Sequence, residues 1–251
     1  QINVQEANTG SLLFGLGVNS DIGLTGSIVL NERNFDITRP PTSFDDLING
    51  TAFRGAGEEF RIEAVPGTFL QRYTVSFKEP FLFDTPYSLT TSGYYYQRYY
   101  NEYSEDRLGA RLTLGRQLNR YWSASVGVRL EEVSVHDVPD GAPVDYTSQI
   151  GDHFLAGFQA HATRDSRDSY LRPTEGSLLD FSYEEVTGDH TFPLVNIDAT
   201  KYWTTYQRAD GSGRHVLALH SELGWAGRNT PVYERFFAGG FRLSLIHISE
   251  P

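Results

Sequence analysis

The residues able to do chemistry are few and scattered. His161, Asp165, Arg167 and Asp168 bring an imidazole, two carboxylates and a guanidinium into one short stretch. Such a group can hold a metal or move protons. Mixed charge at a strand end, however, more often builds a hydrated turn or an ion pair. Glu184 and Glu185 are adjacent, and successive side chains of a strand point to opposite faces, so they cannot work as a carboxylate pair. The 7 histidines show no His-x-x-x-His spacing with a third partner. Cysteine is absent, which removes thiol catalysis, disulfides and cysteine metal sites together. No nucleophile elbow, phosphate loop or dinucleotide fingerprint occurs. Gly109 and Gly115 fall in an alternating strand and read as gaps on its polar face. The sequence predicts no enzyme, no cofactor and no metal.

What carries these residues is a series of strands with period two. Phe60, Ile62 and Ala64 alternate with Glu59, Arg61 and Glu63. Leu108, Ala110, Leu112 and Leu114 oppose Arg111 and Thr113, and Trp122, Ala124, Val126, Val128 and Leu130 oppose Ser123, Ser125, Arg129 and Glu131. Phe154 and Phe158 oppose His153, Gln159 and His161. The pattern predicts about eleven strands, several near the ~9–11 residues that cross a bilayer when tilted. Short links at 117–121 and 209–214 and a long polar loop at 136–152 suggest the turn-and-loop asymmetry of transmembrane barrels. One further connection, 38–57, is long on the side expected to be short. Within it Ser43 is placed to cap a brief helix through Asp45, Asp46 and Leu47, ending at Gly50.

Composition narrows the class. A formal net charge of −11 argues against a nucleic-acid partner, and 39 % hydrophobic residues argue against disorder. No run approaches the ~18 apolar residues of a spanning helix, so a membrane would be crossed as strands. A soluble sandwich also alternates, but charges at mid-strand (Arg61, Glu63, Arg111, Arg129) suit a wet lumen better than a dry core. Aromatics gather near strand ends, as in interfacial girdles: Phe81 and Phe83; Tyr94, Tyr95, Tyr96, Tyr99, Tyr100 and Tyr103; Tyr202, Trp203 and Tyr206. The expected fold is therefore an all-β, antiparallel transmembrane barrel. With no Met and Gln1 at its head, the chain is expected to be an internal stretch of a longer protein.

Several strings resemble the barrel of the BamA-type assembly factors, the outer-membrane insertase superfamily. They are TGSLLFGLGV (9–18), GLTGS (23–27), ERNF (32–35), SFKEPFLFD (76–84), DSRD (165–168), PTEG (173–176) and PVYERFFAGG (231–240). They fall in the family's order and cover most of 9–242. The resemblance implies the first eleven or so strands of a sixteen-stranded barrel in the bacterial outer membrane. It further implies periplasmic transport-associated domains upstream, of which residues 1–8 would be the end. The partners implied are unfolded β-barrel clients, outer-membrane lipid and accessory lipoproteins. Glu234, Arg235, Phe236, Phe237, Gly239 and Gly240 resemble the start of the sixth extracellular loop. The family continues with Ser-x-Arg-Gly-Phe, whereas this chain departs after Arg242, with Leu245 where the Arg should stand. Residues 243–251 are expected to be a non-native tail, although 243–248 could also be the next strand.

On this reading the first strand is the client-contacting seam: Leu12, Phe14, Gly15, Leu16, Gly17 and Val18. Gly10, Gly15, Gly17, Gly23 and Gly26 leave little side-chain surface to lock pairing or register. A client strand could add edge-on there. The same glycines could equally do no more than relieve crowding in a twisted wall. Two other functions compete: a two-partner secretion transporter of the same superfamily, and a passive porin.

Overall fold

A computed structural model describes residues 9–19, 23–48, 52–210 and 213–236. Eleven strands form one antiparallel sheet in chain order. They are β1 Gly10–Asn19, β2 Gly23–Phe35, β3 Glu58–Val65, β4 Leu70–Glu79, β5 Tyr87–Tyr99, β6 Ser104–Gln117, β7 Trp122–His136, β8 Gly151–Asp165, β9 Gly176–Gly188, β10 Phe192–Gln207 and β11 Arg214–Ala226. Two short helices, α1 Phe44–Ile48 and α2 Val144–Thr147, interrupt the connections. β1 and β11 are not neighbours, so the sheet does not close on itself. A sandwich is excluded, because there is no second sheet among the described residues.

The period-two pattern assigns the faces as expected. Cross-strand partners share a face, and register runs Asn31↔Arg61↔Ser76↔Ser92↔Arg111↔Arg129 along one side. This is the inner face, over which the chain returns at Val232–Glu234. The other rows, such as Leu30↔Ile62↔Val75, are outer. Exposed apolar side chains crowd the outer face from Leu12 through Ile62, Leu112, Val126 and Phe158 to Leu219 and Trp225. An apolar band of this extent is a membrane-facing surface in a strand protein.

Three expectations need correcting. The aromatic cluster of β5 does not form a girdle, because the alternation divides it. Tyr94, Tyr96 and Arg98 share the inner rows with Gly109, Arg107 and Glu105, and only Tyr95 and Tyr99 face outward. Loop length does not separate the two ends either: 66–69 and 100–103 are as brief as 118–121, which lies at the opposite end. Each connection takes the length its own local structure needs. Finally, the wet-lumen reading fails for Arg129, whose side chain is only 6 % exposed.

Apart from Phe35, the buried core of the described residues lies at one end of the inner face. Tyr103, Val133, Val135, Leu155, Val186 and Phe192 pack with Val232 and Tyr233 of the returning chain. That end is called the loop end below, and the other the far end. At the far end the PTEG turn needs its glycine. Gly176 has φ +99°, and a Cβ there would collide with the Ser166 carbonyl.

Candidate functional site

Among the described residues β1 has one partner strand. It pairs along its whole length with β2, from Gly10↔Glu32 to Asn19↔Gly23. The outward residues Leu12, Phe14, Leu16 and Val18 are all exposed, Leu16 at 91 %. Inward, Gly15 stands opposite Ser27 and Gly17 opposite Thr25. A methyl group on Gly15 would meet Ser27 Oγ at 2.5 Å, whereas Gly17 has ordinary room, with Thr25 Oγ1 at 3.5 Å. Gly17 thus has space for a side chain that it lacks. Leu12, Phe14, Gly15, Leu16, Gly17 and Val18 all lie on β1 and pair with β2 in unbroken register.

Glu234, Arg235 and Phe236 sit in a different setting. Glu234 accepts Arg107 Nη1 at 2.5 Å and Arg129 Nη2 at 3.0 Å, linking residues 127 and 105 positions apart. Arg107 also donates to the Tyr233 carbonyl at 2.6 Å. Arg129 reaches Glu184 at 2.7 Å and Glu131 at 2.5 Å, while Arg107 reaches Glu105 at 3.2 Å. Two guanidiniums are thus shared among four carboxylates, with the Arg129 and Glu234 side chains 6 % and 7 % exposed. Burial by itself would raise the Glu234 carboxyl, but Arg129 and Arg107 outweigh it and hold it below its ordinary value. Arg235 donates to Asp145 at 2.7 Å and to the Thr230 carbonyl at 3.0 Å. The Phe236 ring lies over Gly224, where a methyl group would meet it at 2.9 Å. Phe237, Gly239 and Gly240 lie outside the described residues.

The partners of this segment, Arg107, Glu105, Glu131 and Glu184, are not predicted by the sequence pattern. Glu105 and Arg107 on β6, and Arg129 and Glu131 on β7, stand two positions apart and so share a face, but that spacing names no partner. Glu184 and Glu185 do point apart: Glu185 accepts the Tyr183 hydroxyl at 2.6 Å on the outer side. The other candidates resolve into local pairs. Arg61 and Arg72 share Glu63 at 2.7 and 2.5 Å. His161 pairs with Asp180, and Asp165 with Arg167 at 2.7 Å. Asp168 locks the far-end turn by accepting the Thr174 hydroxyl at 2.6 Å and the amides of Thr174 and Glu175 at 2.8 and 3.1 Å. These bonds hold its carboxyl far below the usual range. In the loop 189–191, burial and the neighbouring His153 lower His190. Register also gathers Asp198, His220 and Glu222 on the inner face, with donor atoms within 4.8 Å of one another. Their separation in sequence hid this group.

Residues 52–243 match the model of the Omp85 superfamily domain. The chain is 24 % identical over 248 residues to the outer membrane protein assembly factor BamA of Nitratidesulfovibrio vulgaris, covering 96 % of this chain and 28 % of that protein. It is 22 % identical over 249 residues to the factor of the same name in Neorickettsia risticii, covering 96 % and 31 %. The chain therefore spans less than a third of the length of these relatives. Its fold is similar to the crystal structure of BamA from Haemophilus ducreyi lacking POTRA domains 1–3. There the TM-score is 0.73 at 19 % identity, over 94 % of this chain and 45 % of that one.

Proposed function

The chain belongs to the Omp85 superfamily, and on that premise we propose that it forms the leading strands of a bacterial outer-membrane barrel that inserts other β-barrel proteins. The loop end faces outward and the far end faces the periplasm. β1 is the seam at which the wall parts, and an unfolded client strand adds to it through main-chain hydrogen bonds. No nucleotide is required, because burying the client's apolar face in lipid supplies the drive. Outer-membrane lipid and accessory lipoproteins complete the working assembly.

The observation that carries this reading is the make-up of β1. Its inward positions include Gly15 and Gly17, and its outward side chains are exposed. Little besides the ladder resists its separation or a change of partner.

Single cysteines at Leu12, Phe14 and Leu16 of the full-length protein are expected to crosslink to a stalled client strand. Cysteines at Phe154 and Phe158, on the outer face of β8, are not. Equal crosslinking at both sets, or crosslinking only to inner-face positions, would favour a chain-conducting pore and remove the seam.

A further inference from the structure

The connection between β2 and β3 is a built unit that strand addition does not use. A shift of register after Glu32 ends β2 at Phe35. The Phe35 ring stacks on Phe60 at 4.9 Å and Phe53 at 5.2 Å and meets Phe77 edge-on at 6.3 Å. Backbone bonds tie the two arms: Asp36 N–H donates to the Phe53 carbonyl at 2.8 Å, Phe53 N–H to Arg39 at 2.8 Å and Gly55 N–H to Asn34 at 3.0 Å. The Glu58 carboxylate accepts the Ile37 amide at 2.8 Å. At α1, Ser43 Oγ accepts the Asp46 amide at 3.2 Å, and the Asp46 carboxylate accepts the Thr42 hydroxyl at 2.6 Å. The helix start is capped as the sequence predicted.

Its position sets its use. Phe60 and Phe77 are outer-face partners, and the next outer pair along the same strands is Ile62↔Val75. Phe35 and Phe53 therefore cover the outer wall at the far end, instead of lying across the mouth of the inner face. On this unit Ile37 and Phe44 remain exposed, at 57 % and 75 %. The Ile37 amide is held by Glu58, two positions before Phe60, so Ile37 stands at the far-end rim of the apolar band, and Phe44 heads α1 in the same connection. Between residues 36 and 54 stand Asp36, Asp45 and Asp46 against Arg39 and Arg54. That balance does not suit an anionic surface.

We propose that this connection is a membrane-interface foot, seating Ile37 and Phe44 in the acyl–headgroup boundary of zwitterionic phospholipid at the far end. The proposal rests on the outer face being lipid-facing, as in the function proposed above. Amphipathic elements with aromatic and aliphatic side chains bind at this depth. The foot stands under β2 and β3, next to the seam strand.

The test places single cysteines at Ile37 or Phe44 of the full-length protein, this stretch having none of its own. A polarity-sensitive fluorophore is attached, and the protein is reconstituted in phosphatidylcholine vesicles with bromine at stated acyl depths. Labels at Val75 and Asp140 serve as the wall and aqueous references. The expected result is blue-shifted emission from Ile37 and Phe44, quenched most by bromine near the headgroup, while the Val75 label is quenched by deeper bromine. Emission like that of the Asp140 label, untouched by brominated lipid while Val75 is quenched, would overturn the foot and leave the lipid-facing wall intact. Loss of quenching at Val75 as well would overturn the wall and the foot with it.

Discussion

The walls around β7 and β1 are built from the same alternating strands, yet they are secured differently. At β7 and β8 the returning chain covers the inner face, Val133 and Leu155 are fully buried, and Glu234 joins β6 to β7 through two guanidiniums. At β1 nothing comparable among the described residues covers the strand: Gly15 and Gly17 look inward and exposed apolar side chains look outward. Both regions have continuous ladders, so hydrogen-bond count does not separate them. What differs is the packing on each face of the ladder, which sets how much is lost when strands part. The molecule has a latched side and an open side.

The contrast can be broken most forcefully at the latch. Glu234→Ala would leave Arg107 and Arg129 buried without their shared carboxylate, a change that typically costs ~3–5 kcal/mol. Thermal or urea unfolding of the full-length protein in micelles should show a large loss. Leu16→Ala on the open side should show little. Equal, small losses would mean that the latch does not brace the wall.

A smaller effect of opposite sign is expected at the seam. Gly17→Ala has room, with the nearest side-chain atom at 3.5 Å, and replacing Gly by Ala in a strand gains about 0.5–1 kcal/mol. Pairing of β1 with β2 should tighten, and client insertion should slow roughly 2–5-fold if β1 must open. An unchanged insertion rate with a stabilised barrel would argue that these glycines serve packing alone.

The smallest effect concerns turns on both sides. Asp168 on the latched side and Asp46 on the open side each accept neighbouring hydroxyl and amide hydrogens, which lower both carboxyls. A depressed folded value means that the stabilisation is present above the unfolded value of about 3.9 and is lost only as pH falls through the folded one. Between pH 7 and about 4.5, amide protection at Thr174, Glu175, Thr42 and Ser43 should persist once intrinsic exchange is corrected. Early loss at Thr42 and Ser43 alone would make turn protonation, and not the latch, the source of the asymmetry.

By itself the sequence determined the strands and their faces. Phe60 and Arg61 were separable because side-chain alternation is a local property of extended backbone, and it survives whatever the sheet later pairs with. The cap at Ser43 was legible for the same reason, since its partners lie within one turn. Only the tertiary structure decided which charges meet. Glu234 reaches Arg107 across 127 positions, and Asp198 meets Glu222 through a hairpin register. It also decided that Phe53 folds onto the outer wall. Those outcomes depend on register, on a bulge after Glu32 and on where a returning segment comes to rest. Each is a balance of packing and desolvation over distant residues, which no local pattern encodes.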